Sequence, residues 1–177
     1  MGYDIEMVRR PESAISGYEP QYPSSPEYFR AAGVNFAFYE AMYDAGVLDD
    51  ADPLEFPDFP ASIKEQRFDD LIAFCRGEID APPDLTDEEH RIALEFIAKQ
   101  EELCATRSRI AGKVPRYKFL SNDNWLVSSE ESLMIAEGLD RYIARAAILF
   151  NRDQIDALKA WSKFNRIAAD HGGYYVH

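Results

Sequence analysis

Hydrophobic residues recur along most of this chain at helical spacing, interrupted by a few short runs that alternate or bunch as strands do. The opening "YDIEMV" is short, rich in strand-compatible residues and bounded by Gly2 and by Arg9-Arg10-Pro11, which predicts a β-strand. After the loop "PESAISGYEPQYPSSP", Ser25-Pro26 offers a cap and a first helical residue, and Tyr28, Phe36, Tyr39, Met42 and Tyr43 carry an apolar pattern on to Gly46. This predicts a helix whose early part is weakened by Gly33 and Asn35, with a strand or bend around "EYFRAAG" as the alternative. In "DDADPLEFPDFPAS", three prolines and five acids prevent regular structure while Leu54, Phe56 and Phe59 seek cover, so an ordered loop wrapping the core is expected, with a docking segment as the alternative.

Residues 62 to 76 place Ile63, Phe68, Leu71, Ile72 and Cys75 at helical spacing before Gly77. Thr86 and Glu89 then form a capping box, the arrangement in which a side-chain oxygen and a carboxylate satisfy two free amides of a helix start. It predicts a helix from Asp87 to about Ser108, with Ile92, Phe96, Ile97, Leu103 and Cys104 inward. "RYKFL" and "NWLV", separated by the turn-forming "SNDN", predict a central β-hairpin. Ser128 and Glu131 make a second capping box for a helix from Ser129 to about Leu149, whose inner face is Leu133, Ala136, Leu139, Tyr142, Ile143 and Ala146. Asn151 and Gln154 repeat the device, and Ile155, Leu158, Trp161, Phe164 and Ile167 follow at intervals of three. Gly172 or Gly173 ends that helix, and Tyr174 to Val176 reads as a strand. The expected fold is α+β: about five helices on a small, mainly antiparallel sheet made from the N-terminal strand, the central hairpin and the C-terminal strand.

Composition adds bounds. With 177 residues, 46% hydrophobic and 13% aromatic, the chain can bury a substantial core, and a single compact domain over residues 1–177 is expected. The net charge of −13 argues against direct nucleic-acid binding, which needs clustered Lys and Arg. Charge is unevenly placed: residues 1–102 hold 24 Asp and Glu against 8 Lys and Arg, and residues 103–177 hold 8 against 11, which fits either a solvated surface that keeps the protein soluble, the commoner case, or an acidic face for a basic partner. Cys75 and Cys104 each lie within a helical apolar pattern, so buried free thiols are expected rather than a disulfide, consistent with a cytoplasmic location. "MGYDIEMVRR" lacks the basic and apolar regions of a signal peptide, and Glu6 stands where a myristoylation signal has Ser or Thr. No membrane attachment is expected.

Structural roles account for most of the chemistry-bearing residues. Ser121, Asn122, Asp123 and Asn124 have oxygens suited to a hard cation or a polar ligand, yet the alternating carboxylates of a calcium loop are missing and turn chemistry accounts for every residue. Asp170 beside His171 suggests acid-base work, but a helix C-terminus favours His for its charge alone. His90, His171 and His177 fall into no zinc spacing with the cysteines, and phosphate-loop, dinucleotide and nucleophile-elbow motifs are absent. No catalytic residue, metal or cofactor is therefore assigned.

"KFLSNDNWLVSSEE", the Trp-x-x-Phe of the last helix and "HGGYYVH" together resemble a family of short, uncharacterised bacterial and phage-type proteins. The resemblance covers residues 115–177 and the "YDIE" strand, and where such relatives often carry Gly after the Asp this chain has Asn124. It implies no activity, cofactor or site residue.

Two functional classes follow. The leading expectation is a non-enzymatic interaction or regulatory protein whose acidic N-terminal surface, including Asp49, Asp50, Asp52, Glu55 and Asp58, engages a protein partner with a basic surface. A DNA-mimicking inhibitor of a nucleic-acid-binding enzyme is the sharpest form of that expectation. The rival is a small-molecule binder or enzyme with an aromatic pocket of Trp125, Tyr142, Trp161, Tyr174 and Tyr175 and polar groups from Asn122, Asp123 and His171. Action mainly as a homo-oligomer is a third possibility; the sequence leaves the oligomeric state open.

Overall fold

A helix start leaves amide donors without partners, and three of the starts in this chain solve the problem with reciprocal side-chain bonds. The hydroxyl of Thr86 accepts from the Glu89 amide at 3.2 Å while the Glu89 carboxylate accepts from the Thr86 amide at 3.1 Å. Ser128 and Glu131 exchange the same pair at 3.3 and 2.9 Å, and Asn151 and Gln154 at 2.9 and 3.0 Å. All three boxes read from the sequence therefore form.

These contacts come from a computed structural model that describes residues 4–8, 28–30, 35–52, 54–120 and 124–176. The elements run β1 (Asp4–Met7), β2 (Tyr28–Arg30), α1 (Asn35–Asp44), β3 (Leu48–Asp49), α2 (Glu65–Cys75) and α3 (Asp87–Cys104). They continue with β4 (Val114–Pro115), a 3-10 turn (Arg116–Phe119), β5 (Trp125–Ser128), α4 (Ser129–Ala146), a second 3-10 turn (Ala147–Leu149), α5 (Arg152–Asp170) and β6 (Gly173–Val176). The fold is α+β and mostly helical. The expected helix start at Ser25-Pro26 lies outside the described residues. Tyr28 to Arg30 adopts the strand alternative, and the helix begins at Asn35.

The described chain gathers into two compact units: residues 1–53 with 105–177, and residues 54–104. In the first, an antiparallel sheet has the order β2-β1-β6-β5, with Ile5 opposite both Phe29 and Val176, and Trp125 opposite Val176. Val47, Leu48, Val114 and Val127 join Ile135 and Leu139 of α4 and Leu158, Trp161 and Phe164 of α5 in its core. β3 and β4 form a separate parallel pair. Parallel strands need a long crossover, and here the chain between them includes the whole second unit.

Three expectations are corrected in this unit. "RYKFL" is not a hairpin strand: Arg116–Phe119 is a 3-10 turn, and β5 pairs with β6 instead. A strand would send Tyr117 and Lys118 to opposite faces, whereas Tyr117, Lys118 and Phe119 are all buried. On α4, Leu133 is 42% exposed and Ile135 takes the inner position, aligned with Leu139 and Ile143 at four-residue spacing. The row on α5 is central to the core only at Leu158, Trp161 and Phe164. Three-residue steps rotate backwards around a helix of 3.6 residues per turn, so Ile155 and Ile167 end about 120° from Trp161, partly buried, and Ala168 completes the inner face.

The second unit packs α2 on α3. Phe68 contacts Phe96 edge-on at 5.0 Å, and Phe59 of the preceding loop covers Phe68 at 4.7 Å, so part of the Pro-rich segment packs as an ordered loop. Ile63, Leu71 and Ala93 complete the small core. Cys75 and Cys104 are not disulfide-bonded; they are partly and fully buried, and desolvation raises the Cys75 pKa.

The step from α5 into β6 depends on glycine. Gly173 has φ 99°, and a Cβ there would lie 2.0 Å from the Val127 carbonyl oxygen across the sheet. Gly112 has φ 74° with open space around it. In urea unfolding, Gly112→Ala is expected to cost about 1–2 kcal/mol from the left-handed backbone alone. Gly173→Ala should cost clearly more, because β5 and β6 must also separate; equal losses would show that the close approach is unimportant.

Candidate functional site

The only polar cluster in the first unit that combines opposite charges with full burial lies, among the described residues, beside the start of α4. Lys118 is 0% and Glu131 3% exposed. The Lys118 ammonium donates to both Glu131 carboxylate oxygens, at 3.0 and 2.9 Å, and to the Leu126 carbonyl at 2.6 Å. Its three donors thus meet three acceptors. The same carboxylate accepts the Ser128 amide, so Glu131 both caps α4 and neutralises the lysine. Ser132 adds a bond to the Ser128 carbonyl at 2.9 Å.

A second polar chain ties β6 to α5. The Tyr174 hydroxyl donates to Asn165 Oδ1 at 3.0 Å, and Asn165 Nδ2 donates to the Trp161 carbonyl at 2.9 Å. Complete burial, reinforced by the negative charge of Glu131, raises the Tyr174 pKa well above its ordinary 10 and keeps the phenol protonated. Between α4 and α5, the Ser162 hydroxyl donates to Asp140 at 2.6 Å and Arg166 pairs with the same carboxylate. Desolvation alone would raise the Asp140 pKa, but these two donors outweigh it and hold it below 3.8.

Lys118 and Asn165 were not among the candidates that the sequence suggested. A lysine between two aromatics in "YKF" was the available signal for the first. For the second it was a polar residue four positions after Trp161, on the same helix face.

The residues nominated for a ligand pocket are placed differently from one another. Trp125 and Trp161 are each 1% exposed. Trp125 packs edge-on to Tyr117 at 4.8 Å, and Trp161 stacks with Phe38 and Phe164, both at 5.4 Å. Their neighbours are the protein's own rings, which is the arrangement of a core. His171 closes α5 as its C-cap, donating its amide to the Ala168 carbonyl at 3.0 Å. Asn122 and Asp123 lie outside the described residues. Asn124 has φ 61°, a left-handed conformation that Asn tolerates better than most side chains. Tyr142 donates to Asp44 at 3.1 Å, and desolvation followed by this bond raises its pKa. Among the described residues no group of three His, Cys, Asp or Glu side chains is arranged to hold a metal ion, and no helix is long and apolar enough to cross a membrane.

The nominated acids also separate. Asp49 is 5% exposed, and its carboxylate accepts the Ala51 amide at 3.0 Å, so it shapes the exit from β3 instead of facing a partner. Asp50 is exposed and bonded to Arg116 at 3.0 Å, and Asp52 is exposed. Glu55 and Asp58 are exposed too, but they belong to the second unit. That unit holds 14 Asp and Glu against 5 Lys and Arg, a net −9, with twelve of the acids exposed and none buried. Arg67 and Arg91 are engaged with Glu89 and with Glu88 and Glu95. The Arg67 bond, followed by the Thr86 amide, holds the Glu89 pKa down at about 2 from an ordinary 4.5.

Two outcomes are expected. Lys118→Met leaves a buried carboxylate without its counter-charge and should cost about 3–5 kcal/mol in urea unfolding. Pairing it with Glu131→Gln should recover most of the loss, because Gln still accepts the Ser128 amide; a double variant no better than the single would deny the coupling. A carboxyl whose folded pKa is depressed stabilises above its unfolded value and loses that contribution as pH falls through its folded value. For Glu89 the loss therefore runs from pH 4.5 down to about 2, and hydrogen exchange at α2 and α3 amides should follow it and flatten in Glu89→Gln. Compared with known proteins, the chain matches no protein-family model, no curated protein and no solved structure.

Proposed function

We propose that the protein acts by binding, using the carboxylates of residues 54–104 to engage a basic surface on another protein. The observation that supports this reading is how charge divides between the folded units. Residues 1–53 carry 10 acids against 3 cations, but they fold with residues 105–177, which carry 8 against 11, so the first unit is only −4. The remaining −9 resides in the 51 residues of the second unit, on α2, α3 and their loops. Exposed carboxylates on a small helical scaffold present a negative field that speeds encounter with a cationic surface.

The partner class that fits best is a nucleic-acid-binding protein, whose cationic groove would be occupied through mimicry of phosphate charge. Direct nucleic-acid binding is disfavoured by the same charge. The competing pocket reading has less support, since Trp125 and Trp161 are covered by neighbouring rings.

The test is capture of partners from lysate on the immobilised protein at low and high salt, compared with a variant carrying Glu55→Gln, Asp58→Asn, Asp80→Asn and Asp84→Asn. These side chains are exposed, so each change should alter stability by no more than about 0.5 kcal/mol. Basic partners should be retained at low salt, released at high salt, and associate about tenfold more slowly with the variant. Partners indifferent to both salt and charge removal would sink the proposal.

A further inference from the structure

We draw no further inference here: the strongest candidate, the exposed apolar pair Ile148 and Leu149 in the 3-10 link between α4 and α5, 94% and 76% exposed, is an unpartnered tip and nothing in the structure shows what covers it.

Discussion

The ion pair between Lys118 and Glu131 organises the first unit. An ammonium removed from water is tolerable only when each of its protons finds an acceptor and its charge an opposite charge. Lys118 meets both demands within a span of 14 residues, through Leu126 and Glu131. The requirement explains why residues 116–119 coil into a 3-10 turn, which brings Tyr117, Lys118 and Phe119 inward together. It also joins the end of β5 to the start of α4, because the carboxylate that neutralises the lysine caps the helix. Hydrophobic residues of similar volume in place of both partners would serve the core about as well in energy, but they would not specify this connection.

Around that pair, the interior is built from aromatic stacking and a few polar ties. Trp161 lies between Phe38 and Phe164, and Tyr174 closes on it edge-on at 5.8 Å while its hydroxyl is held by Asn165. Burying a phenol without a partner would cost free energy, so Asn165 makes the tyrosine acceptable inside. Gly173 then allows β6 to pass close to β5. These contacts account for the aromatic and polar residues of the C-terminal third as parts of one interior.

The second unit obeys different physics. Its core is small, centred on Phe68, Leu71 and Ala93, and its surface carries twelve exposed carboxylates. Arg67 and Arg91 offset part of the repulsion by binding three glutamates. The exposed pairs of Arg91 with Glu88 and Glu95 contribute little individually. The unit's high net charge favours solubility and encounter over stability, and the proposed binding role rests on that charge.

Much of the secondary structure was legible in the residues alone. Capping boxes at Thr86, Ser128 and Asn151 are local devices in which two residues three positions apart decide the outcome, and each marked its helix correctly. Helical spacing identified most of the inner faces, failing where the row drifted, as at Ile155 and Ile167, or where two registers competed, as at Leu133 and Ile135. Tertiary structure alone decided that Lys118 turns inward, that β5 pairs with β6, and that the acidic N-terminal residues fold with the basic C-terminal ones. The last two outcomes depend on partners distant along the chain and the first on Glu131 beyond an intervening strand, and periodicity carries no information about which segment will supply the opposing charge or the neighbouring strand.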